Sequence, residues 1–449
     1  MYTNIKHSLE IVARDKKVIS PCSRSPYYPF AVRSGSGALL KDADGNQYID
    51  FSAGAASLNT GTCHPKIVEA IKKQADELLC YTIGYMYEES AVELAEKLVN
   101  ITPGGFTKKV AYGLSGSDSI DGAVKFARKF TGRSEIISFE TAYHGSTYGA
   151  LSASAICLGM RRGIGPLLPG FHHFSYPQCA RCQWKEEPHT CQLHCLKEIE
   201  HAFALYLPPE EVAAVLFEPI GGDVGIAVPA KRYVEALAEL CRRHGILLVS
   251  DEVQQGMGRT GKWFAIEHFG VEPDMIAVSK SLASGMPLSA IIMREEIADS
   301  LTDPGHCFTL AANAVCCRAA LATIEVIEDE GLIARSRLLG QKIMERLEEM
   351  KRDIPELGET RGLGLTIGQD IIKTDGSPDR NACAKICYRC WQRGLILTFL
   401  SDNVLRIQPP LVISDEEAER GLIIIAEAIS DYRNGLIGDE VLEFAKGWS

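Results

Sequence analysis

The chain has 449 residues, 46% of them hydrophobic and 23% charged, with a formal net charge of −11. That length exceeds what one small core needs and fits two domains. An acidic balance with no basic block argues against nucleic acid or a membrane surface as partner, and no apolar run approaches the ~18 residues of a membrane-spanning helix.

The first 17 residues, MYTNIKHSLEIVARDKK, are polar and mixed in charge, so a cytoplasmic protein is expected. Residues 36–52 read as a hairpin, two alternating runs around DADGN with its Asp-Gly turn signal. The spacing predicts helices over 66–79 and 88–100. From about 108 to 294 short apolar runs alternate with helical segments. KKVAYGL, EIISFE, VAAVLFEPI, ILLVSDEV, MIAVSK and SAIIM are the strands, and SDSIDGAVKFARKF and KRYVEALAELCRRHG are among the helices. Strands without polar alternation predict a mostly parallel sheet covered on both faces. Residues 313–352 are helical. From about 355 a helix at 381–393 and strand-like LGETRGLGLTIGQDI and VLRIQPPLVIS predict a smaller α+β domain. The expected division is a segment 1–60 joining the small domain, a large domain 61–320, and a C-terminal small domain 321–449.

Several residues fall at strand ends, where open α/β sheets bind ligands. Lys280 follows MIAV and precedes Ser281, Ala283, Ser284 and Gly285. It reads either as a solvent-reaching lysine or as one that forms a Schiff base, with small neighbours leaving room for a flat ring. Asp251 ends the strand of ILLVSDEV, Glu218 ends VAAVLFE, and Tyr143 and His144 follow EIISFE. In GLSGSDS, Ser115, Gly116 and Ser117 lead into a helix, as an ordinary N-cap or as a phosphate site. Asp223 sits in a glycine-rich loop. Arg406 is an isolated cation in an apolar strand, suited to a salt bridge or to a carboxylate clamp. No G-x-G-x-x-G dinucleotide fingerprint is present.

In this order and spacing the motifs resemble the class III aminotransferases, enzymes of pyridoxal 5′-phosphate (PLP), from about residue 30 to the C-terminus. The resemblance implies the PLP-dependent transferase fold of type I. It implies that Gly116 and Ser117 hold the cofactor phosphate, Tyr143 stacks on the ring and Asp251 pairs with its nitrogen. Gln254 then lies near the ring hydroxyl and Lys280 carries the Schiff base. Ser115, His144, Glu218 and Val253 complete the expected cofactor set. Thr309, in FTLAANAV, implies phosphate contact from a neighbouring subunit, hence a homodimer or dimer of dimers with shared active sites. Enzymes of the family that act on 4-aminobutyrate carry arginine where this chain has Ser146, and glutamate where it has Asp223. YHGSTYG, IGPLLPG, SLASGMPLSA and NVLRIQPPLVI are most similar to the amino-acid racemase and epimerase branch. That branch implies Asp223 as a second acid/base opposite Lys280, with Arg406 and Tyr143 at the substrate, a neutral, apolar or branched amino acid. Transfer of an amino group to pyruvate or 2-oxoglutarate is the alternative.

Fifteen cysteines in such a chain read as reduced thiols. Cys179, Cys182, Cys191 and Cys195 form C-x2-C and C-x3-C pairs in an insert. The spacing is compatible with a metal, but a packed loop without one is expected. Cys383, Cys387 and Cys390 lie at helical spacing and read as core.

Overall fold

The computed structural model describes residues 4–187 and 189–447. The chain divides into two compact units: residues up to His64 together with those from Ala334 onward, and Pro65–Ile333.

The second unit is built on a seven-stranded sheet. Its order is Lys108–Gly113, Ser289–Arg294, Met275–Val278, Leu247–Asp251, Val212–Phe217, Glu135–Phe139 and Phe171–Phe174. Only Ser289–Arg294 runs against its neighbours; the other pairings are parallel. Val212–Phe217 is buried at every position, which is why its sequence shows no alternation. The helix Gly116–Thr131 lays Ile120, Ala123 and Ala127 on sheet residues Ile136, Ala214, Leu216, Val249 and Met275 in one core. Each large aliphatic there contributes about 1.5–3 kcal/mol by burial, so Leu216→Ala costs about 2–5 kcal/mol with its cavity.

That helix starts and stops where its sequence says. Ser115 accepts from Asp118 N at 3.4 Å while the Asp118 carboxylate accepts from Ser115 N at 2.9 Å, a reciprocal cap. Gly132 ends it in the left-handed region at φ +69°. The parallel strands all end on one side, and the chain emerging there carries Tyr143, Glu218 and Asp251. Lys280 follows Met275–Val278 on the same side.

The first unit has two four-stranded sheets. In one, Val32–Ser36, Leu39–Asp42 and Gln47–Asp50 form an antiparallel meander, joined in parallel by Leu395–Ile396. The hairpin at DADGN is as expected. Asp42 Oδ1 accepts from Asp44 N and Asn46 N at 3.0 and 2.8 Å, and Gly45 takes φ +90°. The other sheet is antiparallel, in the order Leu357–Leu363, Thr366–Ile371, Val404–Ile407, Thr398–Leu400. The helix Arg380–Gln392 buries Cys383, Cys387 and Cys390, the core role their spacing suggested. The sequence reading did not resolve the helices Lys6–Val18, His194–Leu205 and Asp415–Arg433 or the edge strand Phe171–Phe174. Among the described residues no helix is long and apolar enough to cross a membrane.

Candidate active site

A cavity of about 190 Å³ opens at the carboxyl ends of the parallel strands of the second unit. It is lined by Ser115, Gly116, Ser117, Tyr143, His144, Glu218, Asp223, Asp251, Val253, Gln254 and Lys280, and also by Gly145, Ile220 and Gln255. Two residues singled out in the sequence stand elsewhere. Thr309 lies on an exposed turn of the same unit, outside the cavity lining. Arg406 belongs to the first unit, 4% exposed on Val404–Ile407, where its Nε donates to Thr398 Oγ1 at 3.0 Å.

Asp251 is 5% exposed at the end of its strand. Its Oδ1 accepts from Val253 N at 3.0 Å and its Oδ2 lies 2.7 Å from His144 Nδ1. Burial opposes a charged His144 ring, but the hydrogen bond and charge of Asp251 outweigh it and raise the histidine pKa. The result is a carboxylate held rigidly between an imidazole and a backbone N–H. Its neighbour Glu252 points the other way, as strand alternation requires, and accepts from Ala265 N and Ile266 N at 2.9 and 2.8 Å. Burial pushes Glu252 up to about 8, and its role is to tie that segment to the sheet.

Glu218 accepts from Tyr143 N through Oε1 and from Gly222 N through Oε2, both at 2.9 Å. Burial pushes its carboxyl up to about 7; His144 pulls it down, while Asp251 and Asp223 push it up. The Tyr143 hydroxyl lies 3.2 Å from Ser146 Oγ, and Ser117 Oγ accepts from Ser146 N at 3.0 Å. Asp223 is half-buried in a loop closed by paired hydrogen bonds between Gly221 and Ala227.

Lys280 has a positive φ of +37°, which a side-chain-bearing residue adopts at a cost of order 1–3 kcal/mol. Ser279 Oγ donates to Leu288 O at 2.9 Å beside it and holds the turn. Gly116 and Gly145 of the cavity, and Gly222 next to Asp223, have a steric reason. A Cβ on Gly116 would stand 2.8 Å from Val253 Cγ1, one on Gly145 2.3 Å from Ser117 Oγ, and one on Gly222 2.2 Å from Gln254 Oε1. Gly145 and Gln255 went unremarked in the sequence. The glycine's signal was its place beside YH; the glutamine had none beyond its neighbour Gln254.

The cysteines of the insert line a separate cavity of about 130 Å³ with Trp184 and His194. Burial raises the thiols of Cys179 and Cys195, the latter to about 12. Among the described residues no group of three or more His, Cys, Asp or Glu side chains is arranged to hold a metal ion.

A doubly covered, mostly parallel sheet with lysine, aspartate and a helix N-terminus converging at its strand ends defines an α/β enzyme that handles a flat, phosphorylated ligand. Residues 22–429 match the family described as aminotransferase class-III, and the chain belongs to that family. It is 44% identical to the leucine/methionine racemase of Thermococcus litoralis, over 98% of this chain and 99% of that one. It is 42% identical to the isoleucine 2-epimerase of Lentilactobacillus buchneri, over 95% of each. A solved aminotransferase of Bacillus anthracis superposes with a TM-score of 0.87 at 31% identity, covering 96% of this chain and 99% of that one.

Proposed function

We propose that the protein is a PLP-dependent racemase or epimerase that inverts Cα of neutral, apolar or branched amino acids. The observation that carries this reading is that Lys280 and Asp223 line one cavity with the Asp251–His144 pair, in a chain whose 44% and 42% identical relatives are a racemase and an epimerase.

The cavity suits the cofactor on its own terms. The N-terminus of Gly116–Thr131, with Ser115 and Ser117, offers backbone N–H groups and hydroxyls to a phosphate. Gly116 and Gly145 line the cavity without side chains of their own, and Tyr143 flanks it. Val253 and Gln254 line the same space. Asp251, fixed by His144 and Val253 N, supplies the anion that keeps a pyridine nitrogen protonated. When bound, the cofactor supplies the electron sink that makes the Cα proton acidic.

Inversion needs one proton carrier on each face of Cα. In this reading Lys280 Nζ takes the Cα proton on one side and the Asp223 carboxyl gives a proton to the other, and the two exchange roles in the reverse direction. Lys280 is the one lysine or arginine among the described residues lining the cavity. That supports a substrate with an uncharged side chain. The assembly in this reading is a homodimer or dimer of dimers, with Thr309 reaching the partner's cofactor. Support comes from exposed apolar side chains at Leu79 (66%), Tyr85 (83%), Tyr87 (104%) and Leu310 (54%).

The test is a proton NMR time course in deuterium oxide with PLP, no keto acid and a panel of L-amino acids, followed by chiral chromatography. Loss of the Cα proton with appearance of the D- or allo-isomer is expected. Turnover only after adding a keto acid would move the function to transamination.

A further inference from the structure

Glu218 joins the loop that carries Tyr143 to the loop that carries Asp223. One carboxylate oxygen holds Tyr143 N and the other holds Gly222 N, each at 2.9 Å. Its own carbonyl accepts from Tyr176 OH at 2.8 Å, which fixes the residue at the strand end. Gly222 immediately precedes Asp223, and its carbonyl accepts from Gly225 N and Ile226 N, so the loop is organised around this residue. Tyr143 sits on the opposite loop, tied to the phosphate-side residues through Ser146 and Ser117.

We propose that Glu218 is a positioning residue that clamps the Asp223 loop to the Tyr143 loop through its two carboxylate oxygens. The consequence for turnover rests on the reading of Asp223 as an acid/base, but the clamp itself does not. A carboxylate accepts at both oxygens; a protonated carboxyl has one good acceptor left. The charged groups that face it are His144, Asp251 and Asp223, with Lys280 on the same cavity. Because burial places its titration near 7, the clamp is complete above neutrality and half released below it.

Amide hydrogen exchange tests this without reference to activity. Peptides spanning residues 142–146 and 219–226 would be followed in wild type and Glu218→Gln, with rates corrected for intrinsic exchange. The amide nitrogen of glutamine cannot accept from an N–H, so one side of the clamp opens. Protection is expected to fall on the order of tenfold in at least one of the two segments, with core strands unchanged. In wild type, the same segment is expected to lose protection as pH falls from 8 to 6, a pH profile that Glu218→Gln lacks. Unchanged protection in both segments, or an identical pH profile in the variant, overturns the proposal. Should Glu218→Gln fail to fold, Glu218→Asp, whose shorter side chain cannot span both amides, takes its place with the same readouts. Loss of protection with undiminished racemisation would uphold the clamp and show that turnover does not depend on it.

Discussion

Replacing Gly222 by alanine puts a methyl carbon 2.2 Å from Gln254 Oε1, 2.7 Å from its Cδ and 2.9 Å from its Nε2. Ordinary contact would need the amide to retreat by about 1 Å, and Gln254 is a flexible side chain that can do so. Retreat costs the bond from Gln255 Nε2 to Gln254 Oε1, now 2.9 Å, a net loss of about 1 kcal/mol. The backbone keeps its place, so the fold loses only about 1–2 kcal/mol. The site loses more, because a displacement of about 1 Å among positioning groups reduces turnover about 10²-fold. Thermal unfolding and Cα deuterium exchange read the two effects separately. Combining Gly222→Ala with Gln254→Ala removes the obstacle, so the two substitutions should be non-additive by about 1 kcal/mol or more in turnover. Wild-type turnover in Gly222→Ala, or strictly additive effects in the double variant, would refute the argument.

Lys280→Ala should leave the fold intact and abolish Cα exchange. Mass spectrometry after borohydride reduction should find no cofactor mass on the chain. Asp223→Asn should lower racemisation about 10²-fold or more, the usual share of one acid/base group, while the visible absorbance of bound cofactor is unchanged. Burial holds His173 and His306 down at about 4, so both stay neutral in the folded chain while the unfolded chain protonates them near 6.5. The unfolded state therefore binds more protons between those values, and stability should fall as pH drops from about 6.5 to 4. Both ring nitrogens of His306 are buried without a hydrogen bond, and its ring lies against Phe126 and Phe308. His306→Leu should flatten part of that slope in denaturant titrations at pH 7 and 5.

The central strands were legible because both their faces are buried: VAAVLF and MIAV have no polar alternation to disguise them. Once the strands are placed, the chain direction of a parallel sheet puts Tyr143, Glu218, Asp251 and Lys280 on one side. That, together with the family resemblance, is why most of the cavity lining, though not Gly145, Ile220 or Gln255, could be named before its geometry was known. The edge strand FHHF escaped, since four residues with two histidines carry neither period nor an apolar run. Other features exist only through contacts between residues far apart in the chain. Leu395–Ile396 pairs with Gln47–Asp50, His144 meets Asp251, and Glu218 spans Tyr143 and Gly222. The left-handed backbone at Lys280 is imposed by its surroundings against the preference of lysine itself. Sequence by itself determined the strand and helix periods and the chemical types gathered at the strand ends, because burial and charge are properties of each residue in its local pattern. Distances, hydrogen-bond partners and shifted acidities were decided by the tertiary structure, because they depend on which distant group the folded chain brings within about 3 Å.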